Sequence, residues 1–327
     1  MRISRIFFIF AALLLAAPGA DAADFEASQL AAVVRIEVKV PGEARSAEIL
    51  GTERTGSGVV ISADGLILTI GYLIMEASEA TIELADGATV AAQAIAYDHE
   101  SGFGLLRALR PLGVKPLELG DSRRLHERDT VLVAGAGGKE AAAPAYVVSR
   151  REFAGPWEYL LENAVFTAPA YPNFGGAALI TAEGKLVGIG SLIVPDSIRP
   201  GVSMPGNMFV PTEQLTPILA DLLANGRNSG PPHPWLGLRS DEHFGRLFVA
   251  GVNPGAPAAK AGLKRGDLIV GVAGKPIDGM ADFYRKIWGL GPAGVAVPLQ
   301  VLDGLKVREV TVKSIDRSDW YKAGATY

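Results

Sequence analysis

Gly56-Ser57-Gly58-Val59-Val60-Ile61-Ser62-Ala63-Asp64-Gly65-Leu66-Ile67-Leu68-Thr69 is the stretch that decides the fold. Two β-prone runs, 58–61 and 66–69, flank Ala63-Asp64-Gly65, and an Asp-Gly step between apolar runs signals a hairpin. The pattern repeats outward in both directions. Residues 33–40 read as a strand, and 80–84 and 89–96 flank a second turn at Asp86-Gly87. Further strands are expected at 130–134, 145–149, 165–168, 178–181 and 186–192, with Glu183-Gly184 at the last turn. Many short strands with frequent turns predict an all-β barrel or sandwich. Residues 211–224 then read as a helix, with Leu215, Ile218, Leu222 and Leu223 on one face.

Residues 225–234 are rich in Gly, Pro, Asn and Ser, the composition of a linker. Beyond them the pattern changes. A strand at 246–252, a short helix at 256–261 closed by Gly262 and a strand at 267–272 precede a helix at 280–290. That helix carries Met280, Phe283, Ile287 and Trp288 on one side, and a hairpin follows at 295–302 and 307–312. Together they make a small α+β module. The polar tail, 314–327, is expected to be loose.

Composition narrows the function classes. The 327 residues suffice for two or three domains. At 49% hydrophobic and 20% charged, the chain carries ample core material, which excludes a largely disordered protein. A net charge of -4 argues against binding a phosphate backbone, so no nucleic-acid partner is expected. There are no cysteines, which excludes disulfides and thiolate metal sites. The four histidines, His99, His126, His233 and His243, form no HxH or HxxxH pair. No metal and no cofactor is therefore expected. At the N-terminus, Arg2 and Arg5, an apolar run at 6–17 and Ala20-Asp21-Ala22 have the order of a cleavable export signal over 1–22. The apolar run is shorter than the ~18–20 residues a spanning helix needs, so a cleaved signal is expected rather than an anchor. An exported chain without cysteine suits a bacterial periplasm.

With these segments in order, the sequence resembles the HtrA-type serine peptidases, secreted trypsin-like proteases with C-terminal PDZ modules. The resemblance rests on the stretch from Gly56 to Thr69, on Leu117-Glu118-Leu119-Gly120-Asp121-Ser122 with Glu127-Arg128-Asp129, and on Leu186-Val187-Gly188-Ile189-Gly190. It rests most specifically on Asn253-Pro254-Gly255-Ala256-Pro257-Ala258-Ala259-Lys260-Ala261-Gly262-Leu263, followed by Arg265-Gly266-Asp267 and Gly274-Lys275-Pro276. It implies a mainly β chain: a chymotrypsin/trypsin-like double β-barrel at 24–225, a linker at 226–234 and a small α+β PDZ domain at 235–313.

Carrying the family's catalytic positions over residue by residue finds none of the expected side chains. Where the histidine base follows Leu-Thr and two further residues, Leu68-Thr69-Ile70-Gly71 is followed by Tyr72. At the aspartate position stands Gly102, after Asp98-His99-Glu100-Ser101. The nucleophile loop matches Tyr171-Pro172-Asn173-Phe174-Gly175-Gly176-Ala177, which puts Gly175 at the serine; a register slipped by one puts Phe174 there. Neither register supplies a hydroxyl. A triad needs an oxygen nucleophile, a base near neutral pKa and a carboxylate that orients the base. Tyrosine, with a reference pKa near ~10, is no such base. Of the histidines, His99 is nearest the aspartate position and reads as a solvated loop residue. The aromatic residues Tyr72 and Phe174 read either as filler in a disused site or as the walls of a cleft that still holds extended polypeptide.

Trp235-Leu236-Gly237-Leu238 stands where the family places its carboxylate-binding loop. A glycine-containing loop can turn successive backbone amides toward a peptide C-terminus, and an edge strand after it can accept the peptide as an added strand. Trp235 has the alternative of packing against the preceding domain. The resemblance and the missing triad together lead to an exported pseudo-peptidase that binds exposed or C-terminal polypeptide segments. It would act as chaperone, adaptor or regulator of an active protease or envelope complex. Two alternatives stay open: an active serine-type endopeptidase with a displaced site, and a structural scaffold. Homo-oligomerisation is a further option, with Phe25 as the sole aromatic anchor near the start of the double barrel. Loss of C-terminal peptide binding on replacing Gly237 with a bulky residue is expected to mark the binder.

Overall fold

The computed structural model describes residues 27–321. The expected export signal, Phe25 and the terminal Ala325-Thr326-Tyr327 lie outside the described residues.

Two closed six-stranded barrels precede a third, open sheet. The first barrel comprises β1 (Val33–Lys39), β2 (Glu53–Val60), β3 (Leu66–Ile70), β4 (Glu79–Glu83), β5 (Thr89–Tyr97) and β6 (Phe103–Ala108). They pair in the order β1-β2-β3-β6-β5-β4, and β4 closes on β1. Short helices α1 (Ala27–Leu30) and α2 (Ala47–Leu50) flank β1. In β1, Val34, Ile36 and Val38 are buried while Arg35, Glu37 and Lys39 face water. A slip of one residue would bury the charges, so the alternation itself fixes the register.

The second barrel comprises β7 (Thr130–Ala134), β8 (Ala142–Gly155), β9 (Tyr159–Ala168), β10 (Ala178–Thr181), β11 (Leu186–Val194) and β12 (Gly206–Pro211). Its order is β10-β11-β12-β9-β8-β7, closed between β7 and β10. Helix α3 (Leu219–Asn225) follows. The third unit holds β13 (Leu238–His243), β14 (Arg246–Val252), β15 (Leu268–Val272), β16 (Lys275–Pro276), β17 (Ala296–Asp303) and β18 (Lys306–Lys313), with helices α4 (Pro257–Lys260) and α5 (Gly279–Trp288). The order β13-β14-β15-β17-β18 leaves β13 at an edge. Helix α5 buries Met280, Phe283, Tyr284 and Ile287, a stripe at helical spacing, against this sheet.

Several expectations are corrected. Strands β6 and β12 were not anticipated; each is a short run, mostly or wholly buried, without the alternation that marks a half-buried strand. The helix expected over 211–224 shrinks to a 3-10 turn at Thr212–Gln214 and to α3. Pro217 lies between them and supplies no backbone N–H for a continuous helix. Leu223 is 43% exposed and does not share the buried face of Leu215 and Leu222.

The tail is docked rather than loose as far as Tyr321. Ser314 is buried, and Trp235 and Ile315 exchange backbone hydrogen bonds of 3.0 and 3.1 Å. Helix α6 (Arg317–Trp320) presents Trp320 to Trp235, and the Arg45 guanidinium of the first barrel sits 3.7 Å above the Trp320 ring. Aromatic and cation–π contacts thus tie the tail to two units at once.

Candidate functional site

Tyr72, Gly102 and Gly175 converge where the two barrels meet. Tyr72 lies in the 3-10 turn Gly71–Leu73 that leaves β3, Gly102 in the turn between β5 and β6, and Gly175 in the loop entering β10. The Tyr72 hydroxyl donates to the Ser191 carbonyl at 3.0 Å. A Cβ placed on Gly175 would lie 3.1 Å from the Tyr72 Oη, its nearest neighbour. At Gly102, φ is +83°, and the first atoms a Cβ would meet belong to Tyr159, with Oη at 3.4 Å. Tyr159 is buried and donates to the Ser101 carbonyl at 2.8 Å, so a phenol ring fills the space beside Gly102. Burial pushes the hydroxyls of Tyr72 and Tyr159 above the ordinary phenol range, and that of Tyr97 up to about 12. A phenol held this way donates a hydrogen bond but does not abstract a proton near neutral pH.

Tyr72, Gly102 and Tyr159 border a largely apolar cavity of about 480 Å³, lined also by Trp157, Phe174 and Leu192 and reaching Trp235 and Leu238. His99 also borders it and corrects the expectation of a solvated histidine. Its ring is enclosed by Tyr97 and Tyr321, at centroid distances of 4.3 and 6.0 Å. Burial and the Arg317 charge hold its pKa far below the usual imidazole range. Ser191 borders the same cavity, yet among the described residues no hydrogen bond joins a serine hydroxyl to a histidine.

The second site lies at the start of the third sheet. The backbone amides of Leu236, Gly237 and Leu238 all point at one anion, the side-chain carboxylate of Glu158, at 2.8, 2.7 and 2.8 Å. Gly237, at φ +79°, provides the turn that aligns them. Trp235 takes no part; it packs on the tail. Glu158 sits at the tip of the β8–β9 hairpin and is 5% exposed. Its own N–H donates to the Tyr284 hydroxyl at 3.2 Å, and that hydroxyl donates to the Gly155 carbonyl at 2.8 Å. Ser240, on the edge strand β13, donates its backbone N–H to the Pro156 carbonyl at 2.8 Å. Of the four residues that sequence reasoning named here, three donate to this anion; the anion itself was missed. Glu158 is 78 residues upstream of Leu236, in an unremarkable Pro-Trp-Glu turn, and nothing in one dimension links the two.

Residues 56–189 match the trypsin-like peptidase domain family, and residues 248–301 the PDZ domain family. The periplasmic pH-dependent serine endoprotease DegQ of Escherichia coli K12 is 31% identical over 291 residues, covering 84% of this chain and 62% of DegQ. The periplasmic serine endoprotease DegP of the same strain is 28% identical over 267 residues, covering 77% of this chain and 55% of DegP. The chain carries a trypsin-like peptidase domain followed by a PDZ domain and is similar to HtrA-family proteins. It spans about three fifths of the length of the curated relatives it matches. The solved HtrA-type protease AlgW with decapeptide has the same fold, with a TM-score of 0.52 at 21% identity, covering 88% of this chain and 95% of its own. The serine endoprotease from Yersinia pestis has a TM-score of 0.52 at 20% identity, covering 88% of this chain and 97% of its own.

In this HtrA-like chain the other histidines lie apart from the loop that carries Gly175. His126 and His243 are exposed beside Asp129 and Asp241. His233 stacks on Trp288, with centroids 4.4 Å apart, and stands 3.3 Å from Glu100. They border no cluster of metal-ligating side chains among the described residues. No helix among those residues is long and apolar enough to cross a membrane.

A buried carboxyl, Glu158, and a partly exposed one, Glu100, make stability pH-dependent. Burial, reinforced by Asp98 and Asp316, pushes Glu100 up to about 7. Burial pushes Glu158 up to about 7 as well, against the three amide hydrogen bonds and the Arg317 charge. The folded chain therefore holds protons at these carboxyls that the unfolded chain has released, and their contribution is lost as pH rises from about 4.5 to about 7. His99 and His233, with lowered pKa values, titrate in the opposite sense and flatten the overall profile. The variant Glu158→Gln isolates one carboxyl. Urea unfolding between pH 4.5 and 8 is expected to show the variant gaining on the wild type up to pH 7, by at most about tenfold in the folding constant per unit, then running parallel. A constant difference across that range would place the ionisation of Glu158 elsewhere.

Proposed function

We propose that this HtrA-like protein is an exported pseudo-peptidase that binds exposed or C-terminal polypeptide segments through its PDZ domain. It serves as chaperone, adaptor or regulator in the cell envelope. One observation carries the first half: the Tyr72 hydroxyl, already donating to Ser191, stands 3.1 Å from where a side chain on Gly175 would begin, with Tyr159 over Gly102. This arrangement supplies no nucleophile, no neutral-pH base and no orienting carboxylate. The convergent amides of Leu236, Gly237 and Leu238 support the second half, since they bind a carboxylate. The domain division follows the same reading: double barrel 24–225, linker 226–234, PDZ 235–313. Partners are protein C-termini, an active protease or an envelope complex, and a second copy of the chain. The signal-like N-terminus and the periplasmic relatives support placement in a bacterial periplasm.

The relatives' names favour the competing reading, an endopeptidase with a displaced site. Incubating the purified chain with an unfolded protein and a serine-directed phosphonate label separates the two. The expected result is neither cleavage nor labelling above a heat-denatured control. Cleavage with a mapped labelled serine would overturn the pseudo-peptidase reading.

A further inference from the structure

We propose that the PDZ groove is held shut by the chain's own β8–β9 hairpin tip, with the Glu158 side chain seated where a ligand's terminal carboxylate would bind. This rests on the peptide-binding reading above and deepens it: the ligand class is a polypeptide with a free C-terminus, and it must displace an internal copy of itself.

The tip imitates an added strand at two points in register. The Glu158 carboxylate takes the amides at 236–238, and two residues back the Pro156 carbonyl takes the amide of Ser240, two residues beyond Leu238. Carboxylate on the loop and carbonyl on the edge strand, two residues apart on both sides, is antiparallel strand addition with a period of two. The far wall closes on the same tip. Tyr284 of α5 bonds both Gly155 and Glu158, and Ala154 and Leu160 pack on the PDZ core. Outside the groove, Arg285 of α5 pairs with Glu152 on the flank of the hairpin.

The tip also carries strain that a free turn would shed. Glu158 adopts φ +58°, a left-handed conformation uncommon for a residue other than glycine, asparagine or aspartate. Such a residue persists where its surroundings over-determine it, and here the surroundings are the three amides and Tyr284. A buried carboxylate with all its partners in a second domain is costly to keep unless those partners are always present. The closed groove is thus the resting arrangement, and ligand affinity is reduced by the fraction of time the groove is open.

The test is selection from a random C-terminal heptapeptide display library by the wild-type chain and by Glu158→Ala, with hits resynthesised bearing free or amidated C-termini. The expected result is hits that bind the variant at least about tenfold more tightly than the wild type, and only with a free carboxylate. Equal binding by both proteins overturns the closed groove while leaving peptide binding intact. Hits for neither protein overturn both. Because Glu158→Ala removes a buried group, amide hydrogen exchange at Leu236, Gly237 and Leu238 is measured in parallel on the wild type, Glu158→Ala and the isosteric Glu158→Gln. Protection is expected in the wild type, lost at all three amides in Glu158→Ala, and lost at Leu236, whose acceptor becomes an amide nitrogen, in Glu158→Gln, each variant checked for folding by circular dichroism. Undiminished protection in both variants would overturn the role of Glu158.

Discussion

A serine at position 175 leaves cleavage of an unfolded protein at background. The hydroxyl of Gly175→Ser would arrive next to Tyr72, whose phenol is half-buried, already hydrogen-bonded to Ser191 and pushed above its ordinary pKa. A serine without a base gains little nucleophilicity over water. Adding Tyr72→His supplies an imidazole but not the group that orients it. Gly102 has no side chain to orient it, and the buried Tyr159 ring packs beside that position. Loss of the orienting carboxylate alone lowers turnover by about 10⁴ in an intact triad. Turnover of a quenched fluorescent unfolded substrate is therefore expected to stay at background for Gly175→Ser. For the double variant it should lie at least about 10⁴ below that of an active triad. Activity from the single variant would show that another group, with His99 the nearest candidate, serves as base.

A large stability effect is expected at Gly237. A Cβ there would stand 2.4 Å from the Cβ of Ala256, a fully buried residue, and 3.2 Å from the Trp235 ring. The backbone angle, φ +79°, adds conformational strain. Left-handed strain of about 1–2 kcal/mol and overpacking of about 1–3 kcal/mol together predict that Gly237→Ala destabilises by about 2–5 kcal/mol. Urea unfolding followed by tryptophan fluorescence reads this directly, since Trp235 abuts the site. A loss below about 0.5 kcal/mol would show that the loop relaxes freely. This corrects the sequence-based expectation that a bulky residue at Gly237 reports on peptide capture. Such a variant disturbs the module itself, and Glu158 is the residue that separates binding from folding.

Much of the fold was legible because its determinants are local. The alternation in β1 encodes both its buried face and its register, and Asp64-Gly65 and Asp86-Gly87 mark turns wherever they occur. The positions Tyr72, Gly102 and Gly175 came instead from the family resemblance, matched residue by residue, and not from any local pattern. Strand β12 was not legible, because a continuous apolar run carries no period of its own. Helix α3 was over-read because periodicity outweighed the single Pro217.

What tertiary structure alone decided are the contacts made across long separations. Whether His99 is solvated depends on Tyr321, more than two hundred residues later. Whether the tail is loose depends on Trp235 and Arg45. Above all, the family resemblance points to 236–238 as a loop for a carboxylate. Only the folded chain supplies one, because the reach of the β8–β9 hairpin and the docking of the third sheet together put Glu158 in that seat. Local patterns specify which groups are offered; the distances that satisfy a buried charge exist only after the units have packed.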